Sequence, residues 1–314
     1  MVLSALAAAG LCAQQPAIGG PVTGYVFDGA AGALRPILGL PGASLFGDPL
    51  GFGFNVSKAF VAPRQDAAFA IAADGSSHFF RVNSGAVTEI TVNGLANRAS
   101  QVAFSPTGNA LAVFASGSVE VLTGLPDAPS VAGGMDLSEG TVPDALAVSD
   151  DGNVVLISAN TSVHLFGSSN DMGKLMDTAG PALLAFRGGS HDAAIGDPSG
   201  AGIVLYRDLT GANTAQVLAA PDSTITNSSA VAFSVDGNTL LAASYGGQSV
   251  TTFDLTAGTR NSIACSCSPK SLARMGSLFR LNELGSDPLW LLDTSVPRIV
   301  FVPALTRQSA SSSQ

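Results

Sequence analysis

Three histidines are the first residues to test, since an imidazole is the usual base or metal ligand near neutral pH. His78 and His164 fall in the same slot of a recurring strand, which Glu120, Thr251 and Val204 fill elsewhere. A slot that accepts such variety is a solvent-facing strand position. His191 sits beside Asp192, where sister segments carry Asp-Gly-Asn, so a turn role is expected. The three never gather at metal-ligand spacing. There is no Gly-x-Ser-x-Gly elbow to present a serine nucleophile. Ser149-Asp150-Asp151-Gly152 is superficially like the aspartate box of sialidases, but the glycine follows the aspartate directly and no tryptophan closes it. The glycine-rich stretches 29–32 and 51–53 lack the strand–turn–helix setting of a phosphate loop. The alternating acids of a calcium loop are also missing. The sequence therefore points to no catalytic residue, no metal site and no cofactor.

Cys265 and Cys267 form a Cys-Ser-Cys pair. Neighbours two apart on a flat strand sit near the limit for bridging. A bend before Pro269 would allow a small strained disulfide, and two free thiols are the alternative. Such a bridge closes a tiny loop and adds little through chain entropy.

The elements that would position any site repeat along the chain. Val102-Ala103-Phe104-Ser105-Pro106-Thr107-Gly108-Asn109, Leu146-Ala147-Val148-Ser149-Asp150-Asp151-Gly152-Asn153 and Val231-Ala232-Phe233-Ser234-Val235-Asp236-Gly237-Asn238 are copies of one unit. Weaker copies begin at Phe60 and Leu184, and the most degenerate is Leu272-Ala273-Arg274. The anchors Val61, Phe104, Val148, Phe186, Phe233 and Arg274 are 43, 44, 38, 47 and 41 residues apart, the length of one four-stranded propeller blade. Each unit is a strand, a turn in which Gly or Asn takes positive φ, and an Ala-rich second strand. Alanine is a poor strand former, so this second strand is expected near the propeller axis, where volume is short. A third strand repeats as Ser118–Leu122, Ser162–Phe166, Gly202–Tyr206 and Ser249–Phe253, with further copies ending at Phe80, Leu292 and Phe27. Seven third strands and six first strands predict an all-β, seven-bladed propeller with four strands per blade and an irregular first blade. Six blades plus an N-terminal hairpin is the alternative.

The Ser-Pro-Thr-Gly-Asn, Ser-Asp-Asp-Gly-Asn and Ser-Val-Asp-Gly-Asn turns, followed by strands such as Ser249–Leu255, resemble the repeats of YVTN-type and TolB-like bacterial propellers. The resemblance covers roughly residues 58 to 304 and departs from the WD repeat, because no Trp-Asp pair closes the third strands. It implies a propeller fold. Its families include binding proteins, scaffolds and some lactone hydrolases, so it implies no single activity.

Charged residues make up only 12% of the chain, the net charge is −9 and the basic residues form no cluster. That excludes nucleic-acid binding, which needs Lys and Arg to displace phosphate counterions. Val2 to Leu11 is an apolar run ending in Leu11-Cys12-Ala13, so residues 1–13 read as a signal peptide with cleavage before Gln14. No lysine or arginine precedes Arg35, and Leu11 before Cys12 argues against a lipoprotein. No other apolar run spans a bilayer. Residues 14–305 are expected to form one propeller domain and 306–314 a disordered tail, in an extracytoplasmic, bacterial and monomeric protein. The Asn-x-Ser/Thr triplets at Asn55, Asn160 and Asn227 are read as chance.

In a propeller, the loops after second and fourth strands share one face. By the repeat register these loops hold Asp48, Asp74, Asp136, Glu139, Asp144, Asp177, Asp197, Asp222, Glu283 and Asp287 against Arg98 and Lys270, ten acids to two bases. That face is expected to meet a basic protein or glycan partner, so a non-catalytic binding or scaffold propeller is the expected function. A hydrolase of a small lactone or ester is the alternative.

Overall fold

The structure, a computed structural model, describes residues 20–305 apart from 84, 168, 169, 224, 226 and 227. The expected leader, the tail and Asn227 lie outside the described residues. Among the described residues, twenty-eight strands form seven antiparallel sheets of four. Blade 1 comprises β1 (Val22–Asp28), β2 (Ala33–Leu40), β3 (Ala43–Phe46) and β4 (Leu50–Gly51). Blade 2 has β5 (Val56–Val61), β6 (Ala67–Ala72), β7 (Ser77–Asn83) and β8 (Ala86–Ile90). Blade 3 has β9 (Ala99–Phe104), β10 (Leu111–Ala115), β11 (Ser118–Thr123) and β12 (Ser130–Asp136). Blade 4 has β13 (Ala145–Val148), β14 (Val154–Ala159), β15 (Ser162–Gly167) and β16 (Asp171–Asp177). Blade 5 has β17 (Leu183–Phe186), β18 (Ala193–Asp197), β19 (Gly202–Arg207) and β20 (Thr214–Ala219). Blade 6 has β21 (Ser228–Phe233), β22 (Thr239–Ser244), β23 (Ser249–Asp254) and β24 (Arg260–Ala264). Blade 7 has β25 (Ala273–Met275), β26 (Leu278–Arg280), β27 (Leu289–Asp293) and β28 (Arg298–Val302).

The core is not one mass but seven wedges, each shared by two adjacent blades. Phe69 and Phe79 of blade 2 pack with Leu111 and Val113 of blade 3, and so on round the ring. The last wedge joins Val26 and Ile37 of blade 1 to Met275, Leu278 and Leu289 of blade 7. Every sheet consists of consecutive strands, so the ring closes through this packing and not through a strand exchanged between its ends. Closure also covers sheet faces that would otherwise remain exposed.

Two sequence expectations need correction. The Ala-rich second strands are not the axial ones. The first strands of the blades line the axis, and the second strands lie one step out. β6, β10 and β14 are buried at every residue, because a blade presses on each face, so small side chains are needed there as well. The strand ending near Phe27 has a third-strand pattern, but it occupies the innermost place of blade 1. Its Asp28 accepts the Ala30 and Ala31 amides, just as Asp254 and Asp293 cap the turns after β23 and β27. A third-strand turn in a first-strand position explains why only six first strands are recognisable. Blade 1 is irregular in a second way, since β3 and β4 both pair with β2, end to end.

The recurring turn has a common wiring. In blade 4, Ser149 Oγ accepts the Val154 amide at 3.0 Å and donates to Asp151 at 2.6 Å, and Asp151 accepts the Asn153 amide. Ser234, Asp236, Asn238 and Thr239 repeat those bonds in blade 6. Gly237 has φ +70°, and a Cβ there would come within 2.8 Å of Arg187 Nε from blade 5, so this turn needs glycine on two counts.

Candidate functional site

The seven first strands surround an axial channel of about 560 Å³, within the size range of small-ligand sites. Each first strand pairs on one side only. Its other edge therefore turns backbone N–H and C=O groups toward the channel, where water or a ligand must satisfy them. The side chains around these edges are mainly apolar, with Lys58, Arg274, Arg280 and Glu283 the charged members among the described residues.

The turns after first and third strands define one face of the disc, and bonds between blades lock it together around the axis. Asp150 is central: one carboxylate oxygen accepts the Thr107 amide at 2.7 Å and hydroxyl at 2.6 Å, and the other accepts the Gly189 amide at 2.7 Å, joining blades 3, 4 and 5. Arg187 reaches Asn238 of blade 6, and Arg64 reaches Asn109 of blade 3. Arg274 extends from blade 7 to the Pro106 carbonyl of blade 3 at 2.8 Å, on the far side of the ring, while its Nε donates to Gly276 at 3.0 Å. The Gly276 amide bonds the Pro63 carbonyl of blade 2. Burial holds the Arg274 guanidinium below its usual range; Asp150 opposes that shift and Arg64 adds to it. Arg274 thus crosses this end of the channel as a cation.

The opposite face carries the loops after second and fourth strands. Asp74, Asp136, Glu139, Asp144, Asp177, Asp222, Glu283 and Asp287 are exposed in or beside these loops. Asp48 is exposed elsewhere, in the break between β3 and β4. The register slips there because blade 1 splits its third strand. Asp197 is at the loop end of β18 but only 2% exposed, and it accepts the Ala179 and Ala201 amides, so it shapes a loop and does not meet solvent. Asp222 pairs with Arg260 at 2.7 Å, Asp177 with Lys174 at 2.8 Å and Glu283 with Arg280 at 2.8 Å.

The histidines stand away from the channel. His78, on a third strand, bonds Glu89 at 2.6 Å and Ser76 at 2.8 Å. His164 lies 3.9 Å from Asp171. His191 bridges Asp151 and Thr210, each at 3.0 Å, on the turn face. Burial raises the Asp151 carboxyl, but hydrogen bonds from Ser149, Asn153 and His191 outweigh it and lower it to about 2. Cys265 and Cys267 are joined in a disulfide with Cα atoms 5.0 Å apart, beside the loop that carries Lys270. Lys270 sits over the exposed Tyr245 ring, 5.6 Å from its centroid.

Sequence reasoning missed Lys58 and Arg280 as channel residues, because both lie on strands and not in loops. Arg274 did leave a trace. It replaces the Val or Phe that fills the same repeat position at Val61, Phe104, Val148, Phe186 and Phe233.

The fold and site define a seven-bladed β-propeller with an axial channel. No family model and no curated protein matches the chain. Among solved structures, it is similar to a Desulfotomaculum acetoxidans DSM 771 protein of unknown function, with a TM-score of 0.61 at 13% identity, covering 89% of this chain and 95% of that one. A Lactobacillus plantarum protein gives a TM-score of 0.61 at 15% identity over the same shares, 89% and 95%. A Bacteroides fragilis NCTC 9343 protein provisionally assigned as a 6-phosphogluconolactonase gives 0.58 at 14% identity, covering 90% and 92%. At these identities the likeness is one of fold.

Proposed function

We propose that the protein is a non-catalytic, extracytoplasmic binding propeller. The observation that carries this reading is how its reactive side chains are used. His78, His191, Asp150, Asp151 and Arg274 are engaged in bonds that hold strands, turns or blades together, and His164 lies beside Asp171 on a third strand away from the channel. The channel and the loop face remain as the surfaces open to a partner. The turns that resemble YVTN-type and TolB-like repeats are compatible with a binding or scaffold role, and the apolar run Val2–Leu11 supports export.

A second reading, hydrolysis of a small lactone or ester, draws support from the Bacteroides fragilis likeness and from the channel volume. The off-axis histidines count against it. A turnover screen over sugar lactones and simple esters separates the two. No turnover above the uncatalysed rate is expected, and saturable turnover abolished by substitutions along the channel would overturn the binding reading. Mass analysis of the native protein tests the compartment: a mature chain starting at Gln14 is expected, and intact Met1 protein in the cytosol would refute export.

A further inference from the structure

We propose that the axial channel binds a small aromatic carboxylate, with its ring against the channel wall and its head group on Lys58. This deepens the binding reading above and rests on it. The first observation is charge. Acids outnumber bases 23 to 14 in the chain, yet the channel lining has three cations, Lys58, Arg274 and Arg280, and one acid, Glu283. The lining is therefore 3 − 1 = +2 in a chain of net charge −9, and no aspartate of the described residues lines it. A positive, low-dielectric cleft concentrates anions.

The second observation is the wall. Aromatic rings line the channel on several blades, and Phe27, Phe60 and Phe104 keep part of their surface exposed. Flat rings are the natural complement to such a wall.

The third is the availability of the cations. Arg280 is bound by Glu283 at 2.8 Å, and Arg274 already gives its Nε and Nη1 to the Gly276 and Pro106 carbonyls. Lys58 is exposed near the loop-face end of β5, with Nζ 4.8 Å from the centroid of Phe60. It holds a cation beside an aromatic wall, which suits a ligand with a ring and an anionic head. The acids of the loop face repel an approaching anion at long range.

The test is titration calorimetry on the full chain with three matched probes: 2-naphthoate, 2-naphthylmethanol and 2-naphthylmethylammonium. Naphthoate is expected to bind in roughly the micromolar range, the alcohol at least tenfold more weakly and the ammonium more weakly still. Lys58→Ala should weaken naphthoate about tenfold and leave the alcohol and the melting temperature unchanged; Lys58→Arg should restore naphthoate binding. Equal affinities for the three probes, no loss in Lys58→Ala, or no binding of any probe would overturn the proposal. Tighter binding of 2-naphthyl phosphate than of naphthoate would overturn the carboxylate assignment in favour of a phosphoryl head. Failure with every probe, while a basic partner still binds the loop face, removes this ligand and leaves the binding propeller standing. Lactone turnover instead removes the binding reading itself.

Discussion

Asp151 shows how a residue that looks catalytic is used in structure. Its hydrogen bonds to Ser149, Asn153 and His191 hold its carboxyl at about 2 against an ordinary value of 3.8. A carboxyl depressed by folding stabilises the protein above its unfolded value, and that contribution fades as pH falls toward the folded one. Asp151→Asn should therefore lower the melting temperature at pH 5, and the gap to the parent should close between pH 4 and 2. The side chain is 44% exposed, so screening keeps the effect to about 1 kcal/mol or less, or roughly 2 °C. A gap that persists unchanged at pH 2 would mean that the shift has another source. The turn itself was legible, because Ser, Asp, Gly and Asn recur at fixed offsets. What those residues bond to in the next blade was not. Asp150 and Asp151 are adjacent in sequence, yet one ties three blades and the other fixes its own turn and meets His191. That division depends on which blades become neighbours, and local spacing does not encode it.

At the scale of elements, the repeat period favoured seven blades over six with an extra hairpin, because each four-stranded sheet consumes a nearly constant length of chain, and the structure has seven. The radial order of strands was harder to read. First and second strands are both covered by neighbouring blades, so their apolar patterns look alike, and alanine marks both. The small residue that opens the third strands of blades 2 to 6 was visible, and the structure supplies its cause. Ser118 and Ser162 hydroxyls bond back to the Ala115 and Ala159 carbonyls. Gly202 takes the same place in blade 5 with φ +81°, where a Cβ would collide with the Ala219 carbonyl oxygen. Gly202→Ala should cost roughly 2–4 kcal/mol in urea unfolding, from strain plus collision. Gly258 is the control, with φ +68° and open space around it, and Gly258→Ala should cost about 1 kcal/mol or less. Equal losses in the two variants would show that φ alone matters and that the close approach of β19 to β20 does not.

For the whole molecule, the closed ring separates two faces with different charge use. On the turn face, arginines answer many of the acids: Arg35 pairs with Asp28, Arg64 with Asp66, Arg187 with Asp192 and Arg298 with Asp293. On the loop face, Asp136, Glu139 and Asp144 stand exposed on the connection from blade 3 to blade 4, with no ion pair among the described residues. Their charges are screened over about 10 Å at 0.1 M salt, so they act on an approaching partner more than on the fold. A cationic partner should then associate faster at low salt, with a smaller change in its dissociation rate. The triple variant Asp136→Asn, Glu139→Gln, Asp144→Asn should slow association with an oligolysine peptide roughly tenfold at low salt and flatten the salt dependence. Its melting temperature should stay within about 1 °C of the parent, because exposed charges away from structural bonds contribute little to stability. Neutralisation of Asp171 and Asp208 on the turn face, with the slowing taken per charge removed, serves as the comparison. Equal slowing from either face would show that the peptide responds to net charge alone, and the loop face would lose its claim as the partner surface.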